Sequence, residues 1–308
     1  MITRRLVLTV PLILAASLFG AAEGKARADR TLPWVTEEVA APGLMFGNFD
    51  STVVGTKVSF HIYAPPAYER DQARLPVLYW LHGTAGGVRG VRPVSQLFAN
   101  AMASGEIPTM LLVFVNGLPS RLWCDSKDGA SPVETVFIQE LIPHVDKNYR
   151  TISSREGRIL EGFSMGGYGA GRIGLKHPDL FAGISMLAAG PLDPQFRGPR
   201  AEKNPGQREL VLRTVCSGDL EYFRQQGPWA MAETMASKLA QRKTVIQVVV
   251  GDQDASIEDN RKFHEWLKNL KIDHEFVTLP GVEHDTKAVF AGLGQRSGQF
   301  YRRVLQTR

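Results

Sequence analysis

Arg158-Ile159-Leu160-Glu161-Gly162-Phe163-Ser164-Met165-Gly166-Gly167-Tyr168-Gly169 opens as a short apolar run and passes into a G-x-S-x-G pattern centred on Ser164. Small residues then continue toward His177-Pro178. The spacing has a mechanical reason. A serine on a sharp strand-to-helix turn is held in a strained backbone conformation with its Oγ pushed outward, and only residues without bulk fit two positions to either side. The helix that follows points its first N–H groups at the place where an oxyanion would form. Glycine is common in this chain, 30 of 308 residues, so the pentapeptide decides nothing alone. What decides is its context: a strand before, a helix after, then an acid and a histidine in that order.

Working outward, the flanks supply alternating strands and helices. Pro-Val-Leu-Tyr-Trp-Leu at 76–81 is a continuous apolar run, as in a strand buried on both faces, and 110–115 reads the same way. Residues 44–52 and 56–64 read as a strand pair around Val54-Gly55, halted by Pro65-Pro66. Further strands are expected at 157–162, 181–188, 244–250 and 274–279. Helices are expected at 94–104, 134–148 (bent or capped by Pro143), 170–176, 260–270 and within 294–305. Such alternation predicts an α/β fold, a mostly parallel sheet with helices on both faces. Residues 191–240 fit no strand-helix repeat and are expected to lie over the sheet as part of a substrate wall.

The amino terminus reads as a secretory signal. Arg4-Arg5 precede an apolar stretch at 6–22 interrupted by Pro11, and Ala26-Arg27-Ala28 is a small-x-small cleavage site. Residues 1–28 are therefore expected to leave on export, by the general or the twin-arginine route, and 29–308 to form one domain, secreted or periplasmic. A retained anchor would need about 20 apolar residues without such a proline. Composition is that of a globular enzyme, 44% hydrophobic and 22% charged. The formal charge of +5 falls with the signal, and its basic residues are scattered, which excludes a nucleic-acid patch. Cys124 and Cys216 would meet an oxidising compartment, where either a disulfide or two buried thiols is expected.

Chemistry in such a sheet collects at the carboxyl ends of its strands. Ser164 is the candidate nucleophile. Asp254 is favoured as the acid, because a few loop residues after a strand are needed to turn a carboxylate toward a histidine; Asp252 and Asp219 are its rivals. Of seven histidines, His61, His144, His177, His264 and His274 fall in or at the ends of expected elements. His82 ends a strand but lies upstream of Ser164. His284, on a late loop between Gly281 and Asp285, fits the chain order as base. The backbone N–H groups of Met165 and Thr84 are the candidate oxyanion donors. Trp123 is the leading candidate for a substrate wall, with Phe163, Met165, Phe223 and Trp229 behind it. No H-E-x-x-H or paired cysteine spacing marks a metal site, and no strand-borne G-x-G-x-x-G marks a dinucleotide site, so no metal or cofactor is expected.

Taken together, Leu78-Tyr79-Trp80-Leu81-His82-Gly83, Glu140-Leu141-Ile142-Pro143, Gly162 through Gly169, Val250-Gly251-Asp252-Gln253-Asp254 and Pro280-Gly281-Val282-Glu283-His284-Asp285 resemble the "Putative esterase" family of α/β-hydrolases. That family includes secreted feruloyl and acetyl-xylan esterases, S-formylglutathione hydrolases, enterochelin esterases and mycolyltransferases. The resemblance implies Ser164 as nucleophile, His284 as base, Asp254 as acid, and Met165 and Thr84 lending N–H groups. Thr84-Ala85 stands where many relatives have further glycine. The expected activity is a secreted serine carboxylic-ester hydrolase working through an acyl-enzyme on a small-molecule or carbohydrate ester. Its partners are expected to include neither nucleic acid nor, after cleavage, membrane. The alternatives are acyl transfer to a carbohydrate hydroxyl and a non-catalytic binding module on the same fold.

Overall fold

The computed structural model describes residues 28–199, 202 and 204–306. The expected signal peptide, except for its last residue, lies outside the described residues. Eight strands are present: β1 (Leu44–Ser51), β2 (Thr56–Tyr63), β3 (Val77–Leu81), β4 (Leu111–Val115), β5 (Arg158–Phe163), β6 (Gly183–Leu187), β7 (Val245–Gly251) and β8 (Glu275–Leu279). They form one sheet in the order β1-β2-β4-β3-β5-β6-β7-β8. The β1–β2 and β2–β4 pairs are antiparallel, and every pair from β4 to β8 is parallel.

The apolar runs explain the layering. Every residue of β3 and of β4 is buried, because side chains of alternating parity enter opposite layers. Tyr79, Leu81, Val113 and Val115 join one apolar cluster, while Leu78, Trp80, Leu112 and Phe114 join the other. Parallel neighbours need long crossovers, and the helices Val88–Ala103, Met165–Lys176 and Ile257–Asn269 supply them.

Several boundaries differ from the expectation for identifiable reasons. The helix expected at 94–104 begins at Val88 and runs through Pro93, forgoing the backbone hydrogen bond that a proline cannot donate. The helical stretch at 134–148 widens into a π turn at Phe137–Leu141, where Ile142 N–H reaches Phe137 O immediately before Pro143. Residues 191–240 are largely helical, as Pro205–Cys216, Leu220–Gln226 and Pro228–Arg242. In the first of these only Val211, Val215 and Cys216 are buried, too narrow an apolar stripe to show a clear period. A further helix, Thr286–Leu293, follows β8. Cys124 and Cys216 are both free and buried. No helix among the described residues is long and apolar enough to cross a membrane.

Candidate active site

Ser164 stands between β5 and the helix Met165–Lys176 with φ 61° and ψ −121°. A non-glycine residue at positive φ is strained and persists only where its surroundings over-determine it. They do so here. Ser164 N–H donates to Leu187 O (2.9 Å), and Ser164 O accepts from Tyr168 N–H (3.0 Å) and Gly190 N–H (3.1 Å). The flanking glycines are required by close approach. A Cβ on Gly166 would lie 1.8 Å from Leu81 O, and one on Gly162 would lie 2.4 Å from the Gly166 carbonyl.

Asp254 follows β7 and is buried, 2% exposed. Its Oδ2 accepts from His284 Nδ1–H at 2.5 Å, while Oδ1 accepts from the N–H (2.8 Å) and Oγ–H (2.9 Å) of Ser256. Burial alone would raise the carboxyl's pKa. The His284 hydrogen bond and charge, together with the Ser256 donors, outweigh it and hold the pKa below the usual aspartate value. The Asp254 hydrogen bond leaves Nε2 as the acceptor of a neutral His284 ring, and the ring packs on Phe163, centroids 4.5 Å apart, beside Ser164. The loop is held from both sides. Gly281 N–H donates to Asp252 Oδ1 (2.7 Å), and Asp285 caps the next helix through Ala288 N–H (2.7 Å).

The rival residues have other work. Asp252 pins the histidine loop as just described, and Asp219 caps Leu220–Gln226 and pairs with Lys127 at 2.6 Å. His177 binds Glu134, His264 and His274 bond each other, and His61 accepts from Val39 N–H. His82 Nδ1–H donates to Gly83 O (2.7 Å), and its Nε2 accepts from Gly117 N–H (3.1 Å). Burial pushes its pKa down to about 4, so the ring is neutral with both nitrogens engaged. It braces the loop that carries Thr84, whose carbonyl accepts from Ser120 N–H at 3.1 Å.

Trp123 does not line the cavity at Ser164. It is fully buried with φ 57°, donates from Nε1 to His82 O (3.1 Å), and packs its ring on that histidine at 4.6 Å. Its place is beneath the Thr84 loop. Phe223 and Trp229 line a second cavity of about 190 Å³.

Thr84, Ser164 and Met165 share one cavity of about 360 Å³. Residues 191–211 contribute Leu192, Phe196, Arg197, Arg208 and Val211 to its walls, and the start of the helix Ile257–Asn269 contributes Ser256 and Asp259. The sequence reading had missed Ser256. An Asp-x-Ser spacing after a strand is the signal that would have found it, since the aspartate side chain binds the N–H two residues on. The arrangement is suited to acyl transfer: a hydroxyl at a helix N-terminus that lines a largely apolar cavity, and an imidazole–carboxylate pair packed on the residue before it. Among the described residues no three His, Cys, Asp or Glu side chains group as metal ligands would.

Comparison with known proteins agrees with this geometry. A family model described as "Putative esterase" matches residues 51–297. An endo-1,4-beta-xylanase/feruloyl esterase of Xylanibacter ruminicola is 32% identical over 167 residues, 50% of this chain and 23% of that protein. An esterase of Mycobacterium tuberculosis is 29% identical over 264 residues, 78% of this chain and 55% of that protein. The chain thus spans less than two thirds of the length of either relative. Among solved structures, a ferulic acid esterase superposes with a TM-score of 0.69 at 23% identity, covering 85% of this chain and 98% of its own.

Proposed function

The chain belongs to the "Putative esterase" family, and on that premise we propose that it is an exported serine hydrolase of carboxylic esters whose machinery is Ser164, His284 and Asp254. The observation that carries the reading is the 2.5 Å hydrogen bond between His284 and the buried Asp254, with the His284 ring packed on Phe163, the residue before a serine at φ 61°.

In the proposed reaction Ser164 Oγ attacks the ester carbonyl while His284 Nε2 takes its proton. Asp254 fixes the tautomer and stabilises the imidazolium without itself becoming protonated. The tetrahedral oxyanion accepts from the N–H groups of Met165 and Thr84, the former at the positive end of its helix. Collapse expels the alcohol, which leaves with the proton from His284. Water, deprotonated by the same imidazole, then attacks the acyl-enzyme and frees the acid and Ser164. The route uses no cofactor.

The names of the relatives, a further one of which is an acetyl esterase 27% identical over 207 residues, support feruloyl or acetyl esters as the substrate class. The Arg4-Arg5, apolar and Ala26-Arg27-Ala28 sequence supports removal of residues 1–28 and a periplasmic or secreted site of action for one esterase domain at 29–308. The test is turnover of 4-nitrophenyl acetate and labelling by a fluorophosphonate. Both are expected to vanish in Ser164→Ala, and full activity in that variant would end the reading.

A further inference from the structure

The cavity at Ser164 carries positive charge that the acyl-transfer steps do not use. Arg197 and Arg208 both line it. Arg208 donates from Nε to Phe196 O (2.7 Å) and from one terminal nitrogen to Gln195 O (3.3 Å). Both acceptors are neutral carbonyls, and the guanidinium carbon lies 5.9 Å from the centroid of the Phe196 ring. Arg197 is exposed, and its side chain has no hydrogen bond or ion pair among the described residues. No carboxylate among the described residues pairs with either guanidinium.

The nearby acids are otherwise engaged. Asp259, also in the wall, faces Lys262 at 3.6 Å. Burial raises its pKa, which weakens it further as a counter-charge. Asp193 spends Oδ1 on the backbone N–H groups of Gln195 and Arg197, each at 2.9 Å. The remaining wall is largely apolar, with Leu122, Leu192, Phe196 and Val211. A guanidinium offers paired donors in a plane that matches a carboxylate, and beside apolar walls it is less screened than on an open surface.

We propose that Arg197 and Arg208 make this cavity selective for esters that carry a carboxylate next to an apolar segment. The inference rests on Ser164 being the nucleophile and names the chemical class that the site prefers.

Two matched ester pairs test it. Mono-4-nitrophenyl succinate against 4-nitrophenyl butyrate places the carboxylate on the acyl side, and 4-acetoxybenzoate against phenyl acetate places it on the alcohol side. In at least one pair the charged ester is expected to have the higher kcat/KM, by about tenfold, the size of one charge-assisted hydrogen bond. Because the exposed Arg197 side chain makes no hydrogen bond or ion pair among the described residues, Arg197→Glu is expected to keep the fold while reversing a charge, and it should bring that preference to unity or below. Arg208→Gln should lower it as well, and so should about 0.5 M salt, by screening. Neutral esters turned over as fast as charged ones in both pairs, or a preference unmoved by Arg197→Glu, would overturn the proposal and leave the hydrolase reading standing. Failure to turn over any of the four esters would overturn both.

Discussion

His82 and His284 lie on loops that follow strands of the same sheet, yet their rings are bonded to different kinds of group. His82 has both ring nitrogens committed to backbone, to Gly83 O and Gly117 N–H. It is 4% exposed, and burial pushes its pKa down to about 4. His284 gives Nδ1–H to a carboxylate and lies against Phe163, the residue before the strained Ser164. What each nitrogen is bonded to decides whether a histidine braces a loop or moves a proton. In the proposed function one histidine holds the frame so that the other can move the proton.

Substitution at the two sites should separate these roles. The largest effect is expected at the proposed proton-moving pair, His284 and Asp254. His284→Ala and Asp254→Asn should each lower kcat on 4-nitrophenyl butyrate by about 10³- to 10⁴-fold, with the thermal midpoint little changed. A loss below tenfold in either would break the contrast.

His82 should instead report through stability. His82→Ala leaves the Gly117 N–H without its partner, removes one of the donors to Gly83 O and opens space against Trp123, at a cost of about 2–4 kcal/mol in urea unfolding. The same ring sets a pH dependence. Its folded pKa lies below the unfolded value of 6.5, so the folded state resists a proton that the unfolded chain accepts. Stability from this ring is complete above pH 6.5 and is lost as pH falls toward about 4, by up to about 3 kcal/mol. Subtracting the profile of His82→Gln from that of the parent should expose that slope. A flat difference across the window would show that His82 titrates freely.

The smallest effect is expected at Trp123→Phe. It removes the Nε1–H donated to His82 O and part of a buried ring, for about 1–2 kcal/mol of stability and a change of a few-fold at most in kcat. A loss of activity comparable to that of His284→Ala would place Trp123 in the reaction after all.

Much of this was legible in the residues themselves. Gly162 and Gly166 mark the elbow because a Cβ at either would collide with backbone. The apolar runs at β3, β4 and β7 mark parallel strands because both faces are covered. Loop spacing favoured Asp254 over Asp252 without excluding the latter, since both follow β7. Only the fold shows one turned to Gly281 and the other to His284. Trp123 was misplaced because an irregular segment after a strand resembles a surface loop, whereas here the chain folds the indole inward at positive φ. The insertion stayed opaque for another reason. Its helices bury few residues each, and the arginines in the cavity wall follow from how Phe196 and Val211 pack, which no short-range period records.

The most direct test is to locate a covalent adduct. After incubation with a fluorophosphonate and proteolysis, mass spectrometry should find the phosphonyl group on the peptide that carries Ser164, and its rate of formation should collapse in His284→Ala. An adduct on any other residue, or labelling undiminished in His284→Ala, would contradict the account.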